Sequence, residues 1–201
     1  MTSSRKTSPR PHGSGSHRIR IIGGLYKRTP IPVLDAASLR PTPDRVRETL
    51  FNWLHHWWQG DYTNKAVADV FAGTGALGLE AASRGVGAVT LIEMQAAAVR
   101  ALRQIAAKLG ADQVAIRQDD ALKWLARQPA NSFDLIFLDP PFGQDWLARA
   151  LPAASGPLKP EGLLYVEAEQ PIPEIKGFTL LRQDRAGTVH FHLFQKDKPA
   201  A

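Results

Sequence analysis

The chain of 201 residues has room for one well-buried domain and a modest extension, its hydrophobic content of 44% is that of an ordinary globular protein, and no apolar run approaches a bilayer span. The absence of cysteine excludes disulfides and thiolate zinc sites, the basic Ser/Pro-rich stretch Met1–Gly15 is no secretory signal, and a cytoplasmic location is the default expectation. The net charge of +6 comes from the front of the chain: residues 1–47 carry ten Lys/Arg against two acids, residues 48–201 fifteen against seventeen, the asymmetry of an arm that meets a polyanion.

In chain order, residues 1–16 read as a disordered basic tail. Residues 17–60 read as a hairpin-and-helix extension, and residues 61–201 as a Rossmann-like domain. The stretches Ile19-Arg20-Ile21-Ile22 and Ile31-Pro32-Val33-Leu34 flank Gly23-Gly24 and predict the hairpin. Thr42 or Asp44 is placed to cap a helix reaching about Trp58, with Val46, Leu50, Trp53, Leu54 and Trp57 on one face and Arg47 expected to be exposed. Strands are predicted at Ala66–Phe71, Ala88–Ile92, Gln113–Arg117, Phe133–Leu138 and Gly162–Glu167. Helices are predicted between them at about Leu77–Arg84, Met94–Leu109, Ala121–Arg127 and Asp145–Ala153. Such alternation predicts a mostly parallel sheet with right-handed crossovers. Phe178–Asp184 and Thr188–Gln195, separated by Arg185-Ala186-Gly187, predict a closing antiparallel hairpin. This α/β class, a parallel sheet ended by an antiparallel hairpin, resembles class I S-adenosylmethionine-dependent methyltransferases more than a dehydrogenase.

The chemistry concentrates at predicted strand ends, where open α/β sheets bind ligands. Asp139-Pro140-Pro141-Phe142 follows the run Phe133–Leu138, and its prolines cannot continue the ladder. There the Asp139 carboxylate and the Pro140 carbonyl can accept hydrogen bonds from a planar amine while Phe142 covers a flat ring. These three are the candidate catalytic residues. Asp69-Val70-Phe71-Ala72-Gly73-Thr74-Gly75-Ala76-Leu77-Gly78 is a glycine-rich strand-to-helix turn that lets a ligand approach the backbone. Within it Asp69, Phe71, Gly73, Gly75 and Gly78 are candidate cofactor-binding positions. Asp69 is suited to meet the methionine amino group of the cofactor or to orient the loop, and Glu93 can accept the hydroxyls of a ribose. Asp119 or Asp120 can accept from an adenine amine, the other capping the next helix; Asp120 is favoured for adenine. Asp69, Glu93, Asp120 and Asp139 thus mark four successive strand ends. The scattered histidines form no metal constellation, and no metal is expected.

These features, with Arg18-x-Ile-x-Gly-Gly, the block Arg40-Pro41-Thr42-x-Asp44-Arg45-Val46-Arg47-Glu48, Tyr165-Val166-Glu167 and Ala186-Gly187-Thr188-Val189, resemble the RsmD family over about residues 18–196. The chain departs from the family pattern at Thr74, where Ser is commoner, and at Gln118-Asp119-Asp120, where Gly-Asp is usual. The resemblance implies S-adenosylmethionine as cofactor, with Thr42 closing over it. It implies as substrate N2 of guanine 966 in 16S ribosomal RNA, on an assembled small subunit. Arg18, Arg20, Arg40, Arg45 and Arg47 are the candidate contacts to RNA phosphate, and a monomer is expected. The Asp-Pro-Pro-Phe motif alone does not separate guanine N2 from adenine N6 or a protein glutamine amide. A non-catalytic RNA-binding assembly factor is the remaining alternative.

Overall fold

The computed structural model describes residues 19–33, 42–143 and 145–199. The tail expected over residues 1–16 and the phosphate contacts expected of Arg18 and Arg40 lie outside the described residues. The front of the chain forms β1 (Ile19–Arg20), β2 (Pro30–Ile31) and α1 (Asp44–Trp57). Alternating strands and helices follow: β3 (Ala66–Asp69), α2 (Ala76–Ser83), β4 (Ala88–Glu93), α3 (Ala96–Leu109), β5 (Val114–Gln118), α4 (Ala121–Ala126), β6 (Phe133–Leu138), α5 (Trp146–Ser155) and β7 (Leu158–Ala168). The hairpin β8 (Phe178–Ala186) and β9 (Val189–Lys196) closes the chain.

The main sheet has seven strands in the order β5-β4-β3-β6-β7-β9-β8, parallel from β5 to β7 and antiparallel beyond. Successive side chains on a strand face opposite sides, so the buried central strands supply two cores. Val67, Leu91, Leu135, Phe137 and Tyr165 pack under α1, α2 and α3. Ala68, Ile92, Ile136, Leu138 and Val166 pack against α4 and α5, which contribute Trp124, Leu125, Ala150 and Ala154. The chain winds outward from β3 to β5 and then returns to β6 on β3's other side. The loops after β3 and β6 therefore diverge, opening a crevice at the carboxyl edge.

The front of the chain shares the first of these cores. Ile19, Ile21, Tyr26 and Ile31 are buried there with Val46, Leu50, Phe51 and Leu54 of α1. Phe51 meets Phe137 edge-on at 6.2 Å, and Trp53 stacks on Phe191 at 5.3 Å. The polar fastening is Glu80, fully buried on α2. Its carboxylate accepts from the Ile22 N–H at 2.6 Å, the Gly23 N–H at 2.9 Å and Arg84 Nε at 2.8 Å.

Three expectations are corrected. The helix cap is Pro43, with no side-chain cap bond, because the Thr42 hydroxyl is engaged elsewhere. β7 begins at Leu158 rather than Gly162; its register against β6 shifts between Phe133 and Leu135, and that irregularity carries it past Pro160. Arg47 is not exposed and cannot meet RNA phosphate. It is completely buried between α1 and α2, donating to Asp44 at 2.6 Å and lying 3.9 Å from Glu80. The buried stripe of α1 is wider than the apolar periodicity suggests because a paired arginine belongs to it.

Removing one partner of a buried charge cluster leaves the other uncompensated. Glu80→Ala is expected to lower unfolding free energy by about 3–5 kcal/mol in urea denaturation. Amide exchange at Ile22 and Gly23 should accelerate more than in β6; equal protection in both would show that Glu80 does not hold the hairpin.

Candidate active site

The crevice at the carboxyl edge holds a cavity of about 470 Å³, lined from Thr42 and Pro43 at the front of the chain to Ala186 and Val189 in the last hairpin. The glycine-rich turn forms one wall. Gly73 adopts a positive φ of 52° and donates its N–H to Glu93 Oε2 at 2.9 Å. Gly75, at φ 78°, is the N-cap of α2. Gly78 is buried deeper: a Cβ there would lie 2.1 Å from Leu91 Cδ2, so only glycine lets α2 sit this close to β4. Of the candidate glycines, Gly73 lines the cavity, whereas Gly75 and Gly78 shape the turn from behind.

The candidate acids converge on the cavity. Asp69 ends β3, Glu93 ends β4, Asp139 follows β6, and all three line it together with Phe71, Asp119 and Asp120. Asp69 Oδ2 accepts the Gly78 N–H at 3.0 Å, so it orients the turn; burial pushes its carboxyl up to about 7. Glu93 also accepts the Gln95 N–H through Oε1 at 2.7 Å, which fixes its carboxylate at the rim. Asp120 caps α4 by accepting the Lys123 N–H at 2.9 Å, while Asp119 pairs with Arg127. Both therefore have structural partners as well as a place on the lining.

Asp139 sits beside Pro140, Pro141 and Phe142. Its Oδ2 accepts from Thr42 Oγ1 at 3.1 Å, and the same hydroxyl lies 3.0 Å from Glu167 Oε1 at the end of β7. Tyr165 Oη donates to that Glu167 oxygen at 2.8 Å. Burial raises both acids, Asp139 to about 6, and Glu167 well above the usual carboxylate range with Asp139's charge adding to the effect. Glu167 entered the sequence reading without a role. Extending the strand-end rule by one strand, from β6 to β7, finds it. Met94, 62% exposed, and Trp146, edge-on to Phe71 at 5.8 Å, also line the cavity. No sequence signal separated either from ordinary surface or core residues.

The RNA candidates are spread differently. Arg45 is exposed, as are Lys27 and Arg28 in the turn between β1 and β2. Arg20 is 65% exposed and lies 3.6 Å from Asp44. With Arg47 removed by burial, the described candidates for a phosphate track are Arg20 and Arg45.

The residues suit a ligand with a cationic end and a flat end. Asp69 offers a buried carboxylate to the cation, Glu93 offers carboxylate oxygens at the rim, and Ile92, Met94 and Ala121 offer apolar walls to a ring.

Comparison with known proteins agrees with this geometry. The family model described as "Conserved hypothetical protein 95" matches residues 19–195. Ribosomal RNA small subunit methyltransferase D of Escherichia coli strain K12 is 40% identical over 193 residues, covering 94% of this chain and 95% of its own. The protein of the same name from Haemophilus influenzae is 37% identical, covering 92% and 96%. A solved structure described as a putative methyltransferase from Escherichia coli superposes with a TM-score of 0.79 at 37% identity, covering 90% of this chain and 98% of that one.

A cation entering beside Asp69 favours its ionised form, so binding must expel protons held by that carboxyl. Affinity for S-adenosylmethionine is expected to rise as pH increases through about 7. Calorimetric heats near that pH should vary with the ionisation enthalpy of the buffer. Heats independent of buffer would overturn the placement of the cation beside Asp69.

Proposed function

The chain belongs to the RsmD family, and from that membership we propose that it uses S-adenosylmethionine to methylate ribosomal RNA, at the exocyclic N2 of guanine 966 of the 16S molecule in an assembled small subunit. The observation that carries this reading is the position of Asp139. Its carboxylate faces the same cavity as the glycine-rich turn, with Pro140 and Phe142 beside it. The site can thus hold a planar amine and a cationic cofactor together.

The cofactor supplies an electrophilic methyl group on a positively charged sulfonium. Asp69 would hold the cationic amino acid end, Glu93 the ribose, and Asp120 or its neighbour Asp119 the adenine. The other contribution of the protein is to prepare the amine. A guanine N2 lone pair is delocalised into the ring and is a poor nucleophile. Accepting its hydrogens on Asp139 and on the Pro140 carbonyl favours a more tetrahedral nitrogen with the lone pair directed outward. Most of the rate enhancement then comes from positioning and electrostatics. Asp139 takes the proton as the amine gains its methyl group. Phe142 stacks on the base, a contact of roughly 1–3 kcal/mol in such sites. The base must be unstacked to reach the cavity, which suits a loop nucleotide.

Arg20 and Arg45 contact phosphate outside the cavity, and Lys27 and Arg28 extend the track. Since the substrate is ribosomal, the reaction is placed in the cytoplasm. No helix among the described residues is long and apolar enough to cross a membrane.

Labelled methyl should transfer to small subunits from a strain lacking the gene, and nucleoside analysis should find N2-methylguanosine. Label in N6-methyladenosine or in protein would overturn the guanine assignment. Asp139→Ala should abolish transfer while S-adenosylmethionine affinity changes by no more than about fivefold, the effect of one modest hydrogen bond. Arg45→Glu should weaken RNA binding and flatten its salt dependence while sparing cofactor binding; equal loss of both would place Arg45 in the fold or the cofactor site.

A further inference from the structure

Thr42 Oγ1 stands between two buried carboxyl groups, 3.1 Å from Asp139 Oδ2 and 3.0 Å from Glu167 Oε1. A hydroxyl has one hydrogen, so it can donate to only one of them. If both acids were ionised, the other contact would oppose lone pairs where no described residue supplies a compensating charge. Among the described residues, the groups facing this cluster are Asp69 from β3, Asp139 after β6 and Tyr165 on β7, none of them a cation. On β9 the partner of Glu167 is Phe191, with His190 opposite Ala168 and His192 opposite Val166 on the alternate face. One carboxyl must therefore supply the missing hydrogen.

The two acids are not equivalent. Both line the cavity, but Glu167 is 3% exposed, whereas Asp139 is only partly buried. The proton belongs on the more deeply buried acid.

We propose that Glu167 is a positioning residue that works as a neutral acid: it donates its proton to Thr42 Oγ1, which turns the Thr42 hydrogen onto Asp139 Oδ2 and leaves Asp139 ionised, with Oδ1 directed to the target amine. This inference rests on the assignment of Asp139 to the amine. The line of donors, Glu167 to Thr42 to Asp139, locks the Asp139 carboxylate in one rotamer. Burial, which raises Glu167 above the usual carboxylate range, acts in the same direction.

The test compares Glu167→Gln with Glu167→Leu in the full-length protein. The glutamine amide nitrogen can still donate to Thr42, with loss of the Tyr165 hydrogen bond, because both partners meet the same oxygen of Glu167. E167Q should keep kcat within about fivefold of wild type, with the midpoint of the acidic limb of its pH profile unchanged. E167L should lose about 100-fold in kcat with little change in cofactor KM, as misplacing a reacting group does. A fall of the E167Q midpoint by about one unit or more would mean that the native glutamate is ionised and would overturn the proposal. Equal loss in both variants would overturn it too.

Infrared spectroscopy gives a readout independent of any substrate. At neutral pH the carbonyl stretch of protonated carboxylic acids, to which Asp69 also contributes, should be stronger in the wild type than in E167Q. If the two bands are equal, Glu167 does not hold the proton, whatever the enzyme methylates. If the band behaves as expected while ribosomal RNA is not methylated, the assigned substrate fails and the proton assignment stands.

Discussion

Much of this molecule hangs on one buried carboxylate. Glu80 projects from α2, directly behind the glycine-rich turn, and gathers two backbone N–H groups of the front hairpin and the Arg84 side chain, with Arg47 of α1 close by. A buried anion is tolerated only when hydrogen bonds and counter-charges surround it, so the hairpin and α1 are held against α2 rather than merely beside it. With α1 in place, the residues just ahead of it, Thr42 and Pro43, fall on the cavity wall. The same helix that presents Gly78 to Asp69 near its start presents Glu80 to the hairpin two residues later. The glycine-rich turn and the front extension are thus fastened to a single short helix.

The sheet was legible because its strands are apolar runs bounded by Gly, Pro and acids. β6 falls at the residues expected, and β3 to β5 within two residues at each end. β7 was expected only from Gly162, and the register shift against β6 accompanies its earlier start at Leu158. The four strand-end acids could be read from alternation alone, since each element boundary marks its own acid. Arg47 could not be read correctly. Periodicity counts apolar residues, and a guanidinium paired with Asp44 and lying near Glu80 is buried for a reason that depends on another helix. Thr42 was found by resemblance, but its partners Asp139 and Glu167 lie 97 and 125 residues away, beyond any local pattern.

The cavity is chemically lopsided. Adjacent strands β3, β6 and β7 deliver Asp69, Asp139 and Glu167 to one region, and the charged neighbours that act on these carboxyls are other acids. The protein tolerates this through protonation and hydrogen bonds, from Gly78, Thr42 and Tyr165. The apolar walls lie on the other side, at Ile92, Met94 and Ala121. Such a site distinguishes the two ends of a ligand by charge before any fine contact forms, and the exposed basic residues of the front hairpin and the start of α1 stay outside it.

The lining runs from Thr42 to Val189, nearly the whole described chain, and its central hydroxyl joins residues 125 positions apart. Contacts of such long sequence separation form late, because loop closure must be met before they stabilise anything. During synthesis, the front hairpin and α1 emerge with no β6 or β7 to receive them. A nascent or clipped chain ending before Val189 lacks part of the wall, so competence arrives in one step with the last hairpin.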